Sequence, residues 1–296
     1  MQEAIQSFIK EIHNNKNSSL NTEVSYERDL KKLAKYLETE HSLKYWEDVT
    51  ETNLNSYMLF LESRFAASTV CRSIASIRAF FKYLTAKGVV GEDPSLILKP
   101  PKIEKKAPLI LSVNEIDKLL SAPDVKTAKG IRDKAMLELL YATGMRVTEL
   151  ISLKVNDLNL KMDYVVCRER TRERIIPFGS TAKAALKKYL SKGRDMIITD
   201  SSADEGYLFT NVRGSMMTRQ GFWKVIKSYA LQAGISGDIT PHTLRHSFAM
   251  HMIQNGSDLK SLQEMLGHSD ISTTHFYENI GLSHMRNVYN KSHPRK

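Results

Sequence analysis

The stretch LKPPKIEKKAPLIL, residues 98–111, carries Pro100, Pro101 and Pro108 close together. Each proline fixes its φ and lacks a backbone N–H, so neither a helix nor a central strand runs through this region. The chain is therefore expected to fold as two units: a helical one over 1–99, a basic linker over 100–108 and a second domain over 109–296. A length of 296 residues suits two ordinary domains. Charge changes across the same boundary. Residues 1–99 hold 13 Lys+Arg against 13 Asp+Glu, and residues 100–296 hold 30 against 20, so the net charge of +10 lies wholly on the C-terminal side. A surplus confined to one segment points to a polyanion, of which nucleic acid is the commonest, or to a solvated basic surface. Lys99, Lys102, Lys105 and Lys106 load the linker. They are candidates to track a phosphate backbone, the alternative being a plain solvated linker.

Some classes are excluded early. Cys71 and Cys167 have no metal-like spacing, which argues against a disulfide framework and a structural zinc site. The N-terminus MQEAIQSFIKEIHNN lacks the basic start and apolar core of a signal peptide. No apolar run approaches the roughly 18 residues of a membrane span. A cytosolic protein without a membrane partner is expected.

Apolar spacing predicts helices over 1–14, 20–39, from about Thr50 through Leu61, and 68–87. Four helices with short connections make a small helical domain. Beyond the linker, Ser112 with Glu115 forms a capping-box pattern, and helices are expected near 112–121 and 130–143. Residues 155–177 alternate like strands. Polar breaks at Lys161–Asp163 and Glu169–Arg172 divide them into about three short antiparallel strands. Helices resume near 180–192, 218–233, 240–254, 258–266, 270–278 and 282–291. The fold class is mainly α with a small antiparallel β-sheet in the second domain.

Three segments carry chemistry. In LLYATGMRVTELISL, Gly144 breaks a helix and Arg146 begins the next, with Glu149 three residues on. An arginine at such a break can reach a cleft, or pair with Glu149 at the surface. In GDITPHTLRHSFAMHMIQNG, Thr240 can cap a helix with Pro241 at its first position. His242 then lies in the first turn, on one face with Arg245, where free N–H groups favour a phosphate. His242 and His246 stand i, i+4 as in a zinc-binding helix, but Thr243 occupies the place of the glutamate that a metalloprotease needs. In LGHSDISTTHFYENIG, Gly267 closes a helix, His268 sits in the turn, and Tyr277 lies seven residues after Asp270.

Taken in this order, ATGMRVTEL, HTLRHSFAMHM, LGHSDISTT and Tyr277 resemble the signature of the tyrosine recombinase, or phage-integrase-type, family. The helical first part resembles that family's core-binding domain, and the compact length resembles its Xer members. The resemblance implies a two-domain DNA clamp that works as a homo- or hetero-tetramer on double-stranded DNA. It implies Tyr277 as nucleophile, with Arg146, His242, Arg245 and His268 activating the phosphate. Two arginines suit the non-bridging oxygens and the charge of a five-coordinate transition state. Tyrosine, with a pKa of roughly 10, needs help to lose its proton, and His242 is the candidate for that. His268 is the candidate for a hydrogen bond to the phosphate. Attack leaves a 3′-phosphotyrosine and a free 5′-hydroxyl. The covalent link keeps the bond energy, so no ATP, cofactor or metal is required.

The family's leaving-group acid is a lysine at a β-hairpin turn. Aligned back from ERIIPFG, that position is Glu169, in CRERTRER. Arg170, or less readily Arg168, is the candidate to assist the leaving oxygen as a cation, with the proton supplied from elsewhere. Arg168 and Arg172 are equally candidates to grip DNA. Chromosome-dimer resolution of the Xer kind is the expected role. Alternatives are a mobile-element integrase with the same chemistry, a non-enzymatic DNA-binding regulator, and a metal-dependent nuclease. The tail after Tyr277 has Leu282, Met285, Val288 and Tyr289 on one helical face. By resemblance that face docks on a neighbouring subunit; the alternative is its own domain.

Overall fold

The computed structural model describes residues 1–14, 20–103, 108–168, 173–198, 204–267 and 281–295. The chain divides into two compact units, residues 1–106 and 107–296.

The first unit holds α1 (Gln2–Asn14), α2 (Leu20–His41), α3 (Glu51–Glu62) and α4 (Ala67–Ala86). Thr50 and Asn53 cap α3 reciprocally: Thr50 Oγ1 accepts the Asn53 N–H at 3.4 Å and Asn53 Oδ1 accepts the Thr50 N–H at 2.9 Å. Ile5 and Phe8 of α1 are buried, with Leu30, Leu33 and Leu37 of α2 and Ile77, Phe80, Phe81 and Leu84 of α4. Apolar spacing of three and four places these residues on inward stripes. After α4, Asp93 caps a 3-10 turn, Pro94–Ile97. Leu98 is buried, and the Cys71 thiol points at the Pro101 carbonyl at 3.5 Å. The linker's first residues thus pack on this unit. Lys99 and Lys102 lie exposed outside any helix or strand, while Lys105 and Lys106 lie outside the described residues.

The second unit opens with α5 (Val113–Ser121), capped by Ser112 and Glu115 as expected. Next come α6 (Ala128–Thr143) and α7 (Val147–Ser152). α6 is buried on almost every side and packs against α5 and against the later helices at Ser180–Lys188 and Pro241–Gln254. Strands β1 (Leu158–Asn159), β2 (Tyr164–Arg168) and β3 (Glu173–Pro177) form an antiparallel sheet in that order. Val165 opposes Ile176 in its register, and Arg168 opposes Glu173. The helix expected over 180–192 is shorter: α8 (Ser180–Lys188) gives way to a π-turn at Tyr189–Gly193. A Cβ at Gly193 would lie 2.8 Å from Ile131, so the chain approaches α6 too closely there for a side chain. Then come α9 (Arg219–Gln232), α10 (Pro241–Gln254), α11 (Leu259–Leu266) and α12 (Gly281–Ser292). The helix expected near 270–278 lies outside the described residues.

Of the tail's expected apolar face, Tyr289 is buried and Val288 partly buried in the core of the second unit, in line with the own-domain alternative, while the side chains of Leu282 and Met285 lie outside those described. Tyr289 and His293 are buried, and their rings stack at 4.6 Å. The Gly179 N–H donates to the Tyr289 hydroxyl at 3.1 Å, and Asn255 Nδ2 donates to the Ser292 carbonyl at 2.8 Å. Arg295 ends the clasp on Asp117 and Glu138. An apolar face is driven out of water wherever a complementary surface lies within reach, and here the same domain supplies one.

Candidate active site

The site is assembled from the ends of helices. α6 stops at Gly144, whose φ of +59° is the left-handed conformation in which helices close. A Cβ there would lie 2.3 Å from the Phe248 ring of α10, so position 144 admits no side chain. Two residues later Arg146 precedes α7, and Glu149 Oε2 accepts its backbone N–H at 2.6 Å. The sequence places a carboxylate where the first turn of a helix has unpaired N–H groups.

α10 begins as its sequence predicts. Thr240 Oγ1 accepts the Thr243 N–H at 3.2 Å, and Pro241 takes the first position. His242 and His246 are exposed. Arg245 turns inward and is only 8% exposed. Its Nη1 donates to the Gly144 carbonyl at 2.6 Å and its Nη2 to the Leu266 carbonyl at 2.6 Å.

α11 ends at Gly267, again left-handed with φ +67°. The last carbonyls of a helix lack partners within it and carry its negative dipole end. Here three arginines from three elements supply those partners. Arg174 Nε of β3 donates to Met265 O at 3.0 Å, Arg245 Nη2 to Leu266 O at 2.6 Å and Arg146 Nη2 to Gly267 O at 3.2 Å. Arg174 also grips Glu149 with both nitrogens, at 2.6 and 2.8 Å, while Arg146 Nη1 reaches the same carboxylate at 3.3 Å. Burial alone raises the Glu149 carboxyl, but Arg174 and Arg146 outweigh it and hold it below its usual value. A cluster of guanidinium groups on helix ends has the chemistry to bind an oxyanion and to stabilise charge that develops on it.

Of the sequence-predicted residues, the structure brings Arg146 and Arg245 to the end of α11 and leaves His242 exposed on the first turn of α10. His268 and Tyr277 lie outside the described residues, as do Glu169, Arg170 and Arg172. Arg168 is exposed but paired within the chain, with Asp157 and with Glu173 at 2.9 Å. Among the described residues, no group of three His, Cys, Asp or Glu is placed to hold a metal ion. No helix of those residues is long and apolar enough to cross a membrane.

Residues 110–283 match the phage integrase family, and residues 5–88 match the phage integrase N-terminal SAM-like domain. The chain belongs to the phage integrase family. Tyrosine recombinase XerD of Oceanobacillus iheyensis is 44% identical over 99% of this chain and 98% of its own. Tyrosine recombinase XerD of Listeria monocytogenes serotype 4b is 41% identical over the full length of both. The fold is shared with XerH site-specific recombinase, solved bound to its difH substrate before cleavage. That likeness has a TM-score of 0.69 at 20% identity over 98% of this chain and 82% of that one. This integrase-family chain is a site-specific recombinase of the tyrosine type, Xer-like along its whole length.

Sequence reasoning missed one member of the integrase-family cluster and misjudged another. Arg174 enters the sequence pattern only as part of an alternating strand. Glu149 enters only as the surface-pair alternative for Arg146, yet it is buried and shared by two arginines. The one signal available was Glu149 three residues after an arginine at a helix break.

Proposed function

We propose that this recombinase cuts and rejoins double-stranded DNA through a 3′-phosphotyrosine on Tyr277. Arg146 and Arg245 hold the scissile phosphate, His242 manages the tyrosine's proton, and His268 bonds the phosphate. One observation carries the reading: Arg146 and Arg245 converge on the carbonyls of Leu266 and Gly267, the last residues before His268 in the chain. Both arginines thus stand where the histidine and the tyrosine segment begin in sequence.

The remaining roles follow from the same chemistry. Arg170 stabilises the leaving 5′-oxygen as a cation, and water or a lysine supplies the proton that makes it a hydroxyl, since arginine holds its own proton too tightly to donate it. The pairing of Arg168 with Asp157 and Glu173 favours Arg170 over it for this task. The helical first unit and the catalytic second unit clamp the duplex from a basic linker, Lys99, Lys102, Lys105 and Lys106 tracking the backbone with Arg172. Four recombinase subunits, identical or of two kinds, act on two duplexes in the cytoplasm. The Xer-like role is resolution of chromosome dimers.

A nicked suicide DNA carrying candidate sites tests the reading, scored for a protein–DNA adduct on a denaturing gel. The native protein is expected to form the adduct in EDTA. Tyr277→Phe keeps the ring and loses the nucleophilic oxygen, so it is expected to bind DNA and form none. Cleavage by the phenylalanine variant would show the assignment of Tyr277 to be wrong. Activity lost in EDTA and restored by magnesium would favour a nuclease.

A further inference from the structure

Arg174 is the one guanidinium of the cluster to which the proposed reaction gives no task. It lies on β3, just after residues 169–172 in sequence, and β3 packs against α11. Nη1 and Nη2 meet the two oxygens of Glu149 at 2.6 and 2.8 Å, and Nε meets the Met265 carbonyl at 3.0 Å. One planar fork therefore joins β3, α7 and the end of α11. Gly267 backs onto that fork, since a Cβ there would lie 2.9 Å from Nη1. Glu149 in turn receives the Arg146 backbone N–H at 2.6 Å and its Nη1 at 3.3 Å. The aim of Arg146 depends on Glu149, and the aim of Glu149 depends on Arg174.

We infer that Arg174 is a positioning residue, which locks Arg146 and the end of α11 in one register with the sheet so that both face the same phosphate. The inference rests on the phosphate-holding role of Arg146 proposed above. Its physical basis is the shape of arginine. Lysine keeps the charge but is a point donor on a flexible stem, and it cannot span both Glu149 oxygens and the Met265 carbonyl at once. A displacement of about 1 Å at a reacting group is enough to slow a reaction on the order of 100-fold.

The test uses the full-length protein with Arg174→Lys. Its melting temperature and duplex affinity are expected to stay near native, while single-turnover cleavage at saturating DNA falls roughly 10- to 100-fold. Native-rate cleavage overturns the inference. So does a defect confined to affinity, which would make Arg174 a DNA-gripping residue. If the lysine variant does not fold, Glu149→Gln with Arg174→Met supplies a neutral pair of similar volume, for which the same split is expected. The native protein on the same gel separates the two readings, because failure to form any adduct sinks the proposed reaction without deciding whether Arg174 holds Arg146 in place. In that case the 15N–Hε signals of Arg146 and Arg245, recorded without DNA, decide it. A shift in Arg174→Lys supports positioning, and unchanged signals overturn it.

Discussion

The two units solve the problem of a stable interior differently. The first packs rings: Phe8 lies edge-on to Phe80 at 5.3 Å, and Trp46 meets Phe80 at 4.8 Å and Phe81 at 5.9 Å. Its principal buried carboxylate, Asp29, is held by Arg72 from the half-exposed side, with two bonds of 2.8 Å. The second unit brings cations inside. Arg132 is buried against Asp133 at 2.6 Å and the Thr210 carbonyl at 2.9 Å, and Tyr229 donates to Asp133 at 3.0 Å. Arg245 is buried on two carbonyls, and the partly buried Arg174 is held by a carbonyl and Glu149. Burying an ion costs several kcal/mol of solvation, and a paired one often does no better than an apolar replacement. Rings hold a shape by filling volume. Paired ions hold directions, and a site for phosphate chemistry needs directions.

If this contrast is right, damage to the second unit's cations shows first in the chemistry. Arg245→Ala is expected to slow adduct formation at saturating DNA by about 100- to 1000-fold. Duplex affinity should change little, because many backbone contacts share it. Affinity that collapses while the saturated rate holds would make these buried cations a grip, and the contrast would fail. Damage to the first unit should show as stability. Phe80→Ala removes a fully buried ring and is expected to cost about 3–5 kcal/mol. Hydrogen exchange of the α4 amides should report that loss, with the cleavage rate per folded, DNA-bound molecule unchanged. A slowed chemical step would mean that ring packing also sets directions.

The smallest expected effect concerns acid. Burial pushes His293 down from 6.5 to about 4, and it depresses His251 in the same sense. Between those values the unfolded chain takes up a proton that the folded chain refuses. Stability is therefore fully present above about pH 6.5 and is lost as pH falls toward 4, at roughly 1 kcal/mol per pH unit for His293. Urea titrations at pH 7, 6 and 5 measure it, and His293→Gln should flatten the slope. An unchanged slope would place the acid sensitivity elsewhere.

What could be read in advance was local. Thr240 before Pro241, Ser112 before Glu115, and glycines at 144 and 267 mark helix ends because the chemistry of a cap lies within four residues. The first unit was legible almost throughout, since its helices bury one stripe each. α6 was legible as a helix but its all-round burial was not, because Arg132, Asp133 and Glu138 are buried on faces that periodicity assigns to solvent. Arg174 was not, because its partners Met265 and Glu149 lie far away in sequence and a side chain bonding a distant carbonyl leaves no repeat. The tail was legible as a helix with an apolar face. What that face covers depends on the shape of the surface near Gly179 and Asn255.

The contact between Gly144 and the Phe248 ring has a consequence for how variants of this enzyme are scored. α6 and α10 touch there with no space for a methyl group, and the backbone on one side of the contact is left-handed. In a saturation screen read out by recombination, every substitution at 144 would fall into the same null bin as those at 146 and 245. Its failures would come from wedging α6, whose end leads into Arg146, away from α10, which carries Arg245. Screens of that kind would therefore list a spacer among the reactive groups. Only a second axis, such as protease resistance of each variant, sorts the two.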